Sequence, residues 1–246
     1  MSYNKKPKMI LFDVGGTLFE GGKFLLYNGL DKLRLTAQNP DVTDTDTLVS
    51  LWEEYLDDVN NSLKSKSGTT LDMPLSAVIR YMTMNTGLKF SLSMPEQEEI
   101  FDRFNSERKV IEGVSELLGT INSLGIRSAV ISNNAMSGDG LKLAVNHWIK
   151  DNYFEFFLTS SDLLLCKPDK RIFEAAAGYA GLETVDCWYC GDGFIPDVYG
   201  SFNSSMTPVL IDVSSDMPLE MRKDSRGEYM AVNCWHVLSE YLLKLK

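Results

Sequence analysis

The chain has 246 residues, 44% of them hydrophobic and 24% charged, with a formal net charge of −10, a balance that fits one or two globular domains with a substantial core. The acidic excess argues against a dedicated nucleic-acid surface, because phosphate backbones are bound through clustered Lys and Arg; it does not exclude a small phosphorylated ligand held in a local basic pocket. No apolar run approaches the roughly 18 residues of a membrane span, and residues 1–8 lack the apolar stretch of a signal peptide, so the cytoplasm is the expected location.

The first element is a short apolar strand over 8–12, ended by Asp13, Gly15 and Gly16. From about residue 21 to 108 helical periodicity takes over. Leu48, Leu51, Trp52, Tyr55, Leu56, Val59 and Leu63 recur at helical spacing, as do Leu75, Val78, Ile79 and Met82 before a stop at Gly87. Pro95 and Glu96 open a further helix carrying Ile100, Phe101 and Phe104. The stretch reads as a helical insertion, with Trp52 and Tyr55 as its own packing core.

After the insertion, strands and helices alternate. Val114, Leu117, Leu118, Ile121 and Leu124 mark a helix closed by Gly125, and 126–131 a strand ending in Ser132-Asn133-Asn134. A helix is expected over 141–149, a strand over 154–159, and a helix over 168–180 started by Pro168 and stopped by Gly181. Strands follow over 187–190 and 208–211, a polar irregular loop over 213–228, then a strand over 230–233 and a helix over 237–245. This alternation predicts an α/β fold with a doubly wound parallel sheet.

Four cysteines are too few and too clustered for a disulfide framework. Cys187 and Cys190 match the spacing of a zinc or thiol pair, but three residues apart on a strand they face opposite ways and read as packing residues. His147 and His236 fall on expected helices and are assigned no role.

Four loops fall at strand ends, where open α/β sheets bind ligands. They carry Asp13; Ser132 and Asn133; Lys167 in Cys166-Lys167-Pro168-Asp169; and Asp192 and Asp197 in Gly191-Asp192-Gly193-Phe194-Ile195-Pro196-Asp197. Taken singly, each has a plain alternative: a turn acid, a loop hydroxyl, a surface lysine, a helix N-cap. In order and spacing together they resemble the four motifs of the haloacid dehalogenase (HAD) superfamily, over residues 8 to about 211.

The resemblance implies a HAD-like Rossmannoid core in residues 1–20 and 109–246 and a helical cap domain in 21–108. It implies a hydrolase in which Asp13 attacks phosphorus as nucleophile, with Lys167 and Ser132 also catalytic. Gly15, Gly16, Thr17, Ser132, Asn133 and Lys167 would cradle the phosphoryl group. Mg²⁺ would be held by Asp13, Asp192, the main-chain oxygen of Gly15 and, directly or through water, Asp197. The expected partner is a small phosphorylated metabolite, with no nucleic acid and no membrane. Residues near Gly21-Gly22 and 106–113 would serve as hinges.

The departure from the family pattern is Gly15, where most phosphatases of the family carry a second Asp as general acid and base, a contribution of about 10²–10⁴ in rate. Three readings follow: a phosphatase for good leaving groups or with an acid from elsewhere, a weak or non-catalytic phosphate-binding protein, and a dehalogenase. Glu20 is the nearest spare acid in sequence. Dehalogenases of the family use no metal and generally lack the Gly191-Asp192 pair, so the phosphatase reading ranks first.

Overall fold

The computed structural model describes residues 3–64 and 73–245, with side chains described over 3–59 and 73–245; the side chain of Leu63 lies outside these. In chain order the elements are β1 (Met9–Phe12), β2 (Phe19–Glu20), α1 (Leu26–Leu35), α2 (Thr45–Lys64), α3 (Leu75–Thr86), α4 (Met94–Asn105), β3 (Lys109–Val110), α5 (Val114–Ser123), β4 (Arg127–Ser132), α6 (Gly138–Trp148), β5 (Phe157–Thr159) and α7 (Ser160–Leu163). They continue with α8 (Lys170–Tyr179), β6 (Cys187–Gly191), α9 (Gly200–Ser204), β7 (Thr207–Ile211), β8 (Leu219–Asp224), β9 (Gly227–Val232) and α10 (Trp235–Lys244).

Seven strands form one sheet in the order β5-β4-β1-β6-β7-β9-β8, parallel except for the β8–β9 pair. Every residue of β1, β6 and β7 is buried, as central strands covered on both faces require. Side chains alternate between the two faces. Ile10, Phe12, Trp188 and Cys190 enter one apolar cluster with residues of α5, α6 and α10, whereas Met9, Leu11, Cys187 and Tyr189 enter another with Ile172 and Phe173 of α8. Cys187 and Cys190 therefore pack on opposite sides of the sheet.

Two expectations are corrected. Residues 213–228 are not an irregular loop: 219–224 form β8, an antiparallel edge strand on β9. One of its faces is solvated, and its charged residues hid the alternation. Helix α8 starts at Lys170 rather than Pro168, because Asp169 is its N-cap and accepts the Arg171 N–H. The Lys167–Pro168 peptide is cis.

Helices α1–α4 lie between β2 and β3, which pair as an antiparallel ribbon extended by a Phe24–Ser106 bridge. Their core includes Leu30, Leu48, Ile79 and Phe101. The Trp52 ring stacks on Phe101 at 5.0 Å and Tyr55 lies 4.7 Å from Tyr81. Helix α4 opens with a capping box from Ser93 and Glu96 and packs against α1 on one side and core helix α6 on the other. Its Glu98, fully buried, accepts at Oε2 from the Ser137 N–H at 3.1 Å and from the Ser137 hydroxyl. Among the described residues no helix is long and apolar enough to cross a membrane.

Candidate active site

Strand β1 ends by delivering Asp13, whose N–H still bonds Cys190 O at 2.9 Å. The chain then folds tightly: Leu18 and Phe19 N–H reach Val14 O at 2.8 and 3.1 Å, and Gly16 N–H reaches Phe19 O at 2.8 Å. Gly16 sits at φ +69°, and a Cβ there would collide with the Asp192 carboxylate, so glycine is what lets two strand-end loops approach. A Cβ on Gly191 would likewise run into Asp197, whereas one on Gly15 would meet nothing within 4 Å. The Trp235 indole N–H donates to Thr17 O at 2.8 Å, tying the loop to α10.

Lys167 lies at the centre, with its side chain 2% exposed. Its Nζ donates to Asp13 Oδ1 at 2.8 Å, Asp197 Oδ1 at 2.7 Å and Tyr189 Oη at 2.7 Å. An ammonium has three hydrogens, so all its donors are committed. The Tyr189 hydroxyl passes its own hydrogen to Ile131 O at 2.8 Å, and Asp197 Oδ2 accepts the Gly193 N–H at 2.8 Å. Burial alone disfavours the charged lysine, but Asp13 and Asp197 outweigh it and hold the ammonium above the usual lysine range. Burial, reinforced by the charge of Asp13, pushes both Asp192 and Asp197 above the ordinary carboxylate range; Lys167 opposes it at Asp197.

Asp13, Gly15, Ser132, Asn133, Lys167, Asp192 and Asp197 share one cavity of about 320 Å³. Asn133 spends its side chain on the main chain of Lys167, accepting its N–H at 2.8 Å and donating to its carbonyl at 3.1 Å. Gly16 and Thr17 do not line the cavity. The Gly16 N–H is taken by Phe19, and the Thr17 hydroxyl makes a long 3.5 Å contact with Asp192. Glu20 lines the rim but is half-exposed and paired to Lys109 Nζ at 2.8 Å across the β2–β3 ribbon.

Two residues of the site escaped the sequence reading, one beneath the cavity and one on its wall. Tyr189 looks like any aromatic in a buried strand, and only the register of β6 beside β1 brings its hydroxyl under Lys167. Arg108 lines the cavity from the link between α4 and β3. Its guanidinium pairs with Asp102, donates from Nε to Ser106 Oγ at 3.4 Å and lies 5.5 Å from the centre of the Phe19 ring.

The fold and the strand-end acids define a Rossmannoid hydrolase core. Residues 10–210 match the family described as haloacid dehalogenase-like hydrolase, and the chain belongs to that family. It is 27% identical over 152 residues to haloacid dehalogenase-like hydrolase domain-containing protein 3 of Mus musculus, covering 58% of this chain and 57% of that protein. The chain thus matches little more than half the length of its curated relatives. Among solved structures, a 2-haloacid dehalogenase from Pseudomonas syringae pv. Tomato DC3000 superimposes with a TM-score of 0.59 at 20% identity, over 98% of this chain and 100% of that one. A HAD phosphatase from Thermococcus onnurineus gives 0.53 at 16%, over 97% and 99%. Both likenesses are of fold.

Proposed function

We propose that the protein is a Mg²⁺-dependent phosphatase of small phosphomonoesters, with Asp13 as nucleophile. The observation that carries this reading is the convergence of Asp13, Asp192 and Asp197, each with an oxygen within 4.8 Å of the others, with Asp13 and Asp197 paired to the buried Lys167 ammonium.

The donor set fits a hard divalent ion. Three carboxylates against one ammonium leave an uncompensated negative charge in a half-buried site, and oxygen donors of this kind suit Mg²⁺. Asp13, Asp192 and the Gly15 carbonyl would hold it. Asp197, with one oxygen on Lys167 and the other on the Gly193 N–H, would act from behind them. When bound, the ion neutralises phosphoryl oxygens as the carboxylate approaches.

The chain's own residues do the rest. Lys167 fixes one oxygen of Asp13, leaving the carboxylate oriented toward the cavity. As the Asp13 O–P bond forms, the bond to the leaving oxygen breaks; water then attacks the aspartyl-phosphate, releasing inorganic phosphate and restoring the carboxylate. Gly15 offers no proton to the leaving oxygen and nothing to take one from the water. The reading therefore favours esters whose leaving group departs as a stable anion. Segment 21–108 acts as a cap over the cavity in this scheme.

Gly15 also gives weight to a second reading, a phosphate- and metal-binding protein that turns over slowly. Metal-free halide displacement leaves the three-carboxylate cluster without a role. Phosphate release from an aryl phosphate and from an alkyl phosphate, each with Mg²⁺ and with chelator, tests the proposal. Aryl-ester turnover that chelation and Asp13→Asn both abolish supports it. Mg²⁺ binding with no release from either ester turns the assignment to the second reading. Chloride release from a 2-chloro acid without metal overturns both.

A further inference from the structure

The cavity wall carries two cationic side chains, and they differ in what they have left to give. Lys167 has no uncommitted hydrogen. Arg108 uses Nη2 on Asp102 and Nε on Ser106, while its Nη1 is buried with no hydrogen-bond partner among the described residues. A buried guanidinium nitrogen without an acceptor is unfavourable, and because Arg108 also lines the cavity, a turn of the guanidinium toward a bound ligand would give it one. Asp102 of α4 holds its Nη2 and the Phe19 ring of β2 lies against the guanidinium.

We propose that Arg108 binds a second anionic group, so that the substrate is a small phosphomonoester also bearing a carboxylate or a second phosphate. The inference rests on the phosphatase reading and deepens it. A cavity of about 320 Å³ is at the small end for ligand sites, which suits a phosphoryl group, a few linking atoms and a second anion. The space beside Gly15, where a Cβ meets nothing within 4 Å, leaves room for the linker. A planar guanidinium matches carboxylate or phosphate geometry.

Calorimetry with Mg²⁺ and three near-isosteric probes, ethylphosphonate, phosphonoacetate and methylenediphosphonate, tests this. The ratio of affinities is compared between variants, which cancels chelation of the ion in solution. The wild type is expected to bind one of the two doubly anionic probes about tenfold more tightly than ethylphosphonate, and which one it prefers tells carboxylate from phosphate. Arg108→Met is expected to erase the preference. Because Met leaves Asp102 buried without a cation, Asp102→Asn is the companion: it frees the fork and is expected to raise affinity for the preferred probe several-fold, a gain misfolding cannot mimic. Equal affinities in the wild type, a preference that survives Arg108→Met, or weaker binding in Asp102→Asn overturns the inference. Binding of none of the probes overturns the phosphatase reading along with it.

Discussion

The strand-end loops and the core-facing side of α4 both bury charge, and they treat it in opposite ways. Around Lys167 every donor finds an acceptor, and two of the acceptors, Asp197 and Tyr189, are in turn held by Gly193 N–H and Ile131 O. On and beside α4, Glu98 Oε1, Asp102 Oδ2 and Arg108 Nη1 are buried with no partner among the described residues. A closed network fixes geometry, as the proposed nucleophile loop needs. An open one gains when a donor reaches the carboxylate oxygens, an acceptor reaches the guanidinium, or water arrives, at the boundary where α4 packs on α6.

The strongest way to break this contrast is at its centre. Lys167→Met removes the ammonium and strands Asp13 Oδ1, Asp197 Oδ1 and the Tyr189 hydroxyl. Removing one partner of a buried ion pair costs about 3–5 kcal/mol, so urea denaturation should show a loss of that size, with phosphate release abolished. A loss below about 1 kcal/mol, within the range of surface ion pairs, would mean that the core network is not closed.

Next comes Gly15→Asp. The site has room for the side chain, and Gly15 is absent from the left-handed glycines, so folding should be little changed. Turnover of an alkyl phosphate should rise about 10²–10⁴-fold while an aryl phosphate gains less. If both esters respond equally or not at all, leaving-group protonation is not what limits the enzyme.

How far these residues were legible beforehand follows the same divide. Loops at the ends of β1 and β6 were visible because a wholly buried strand is a largely apolar run and the acid that follows it stands out, and the loop after β4 because Ser132 and Asn133 follow the apolar 129–131. Contacts that depend on register or on a bend of the chain were not. Helix α1 carries Gly29 in its middle, which weakens the periodic signal, yet a Cβ there would crowd Phe101 and Asn105 of α4. Asp102 and Arg108 meet only because the chain leaves α4 at Asn105 and turns back along it. Nothing in the spacing of Gly16 and Thr17 revealed that the Gly16 N–H would be taken by Phe19 and that neither residue would line the cavity.

On the open side, Asp102→Asn probes the unpartnered carboxylate through pH. Burial raises Asp102 from 3.8 to about 6, although Arg108 lowers it. Between these values the unfolded chain has released the proton while the folded one keeps it. This residue's contribution to stability therefore falls as pH rises through that window, with its full cost present above pH 6. The variant lacks the titration, so its stability relative to wild type should climb by up to about 3 kcal/mol from pH 4 to 6. Parallel stability curves over that range would show that Asp102 is as well satisfied as the groups around Lys167.

The smallest expected effect is the most discriminating. Tyr189→Phe keeps the ring, which packs edge-on against Phe173 at 5.0 Å, and deletes only the hydroxyl between Lys167 and Ile131 O. In a closed network that single atom serves two buried groups at once, and both lose a partner. The loss should then be about 1–3 kcal/mol, the cost of leaving buried polar groups unsatisfied, with a lower kcat as the lysine loses one of its three anchors. Thermal and urea unfolding measure the first, aryl-phosphate turnover the second. A loss below about 0.5 kcal/mol, the level of an ordinary surface change, would place the site with the loosely paired α4 boundary.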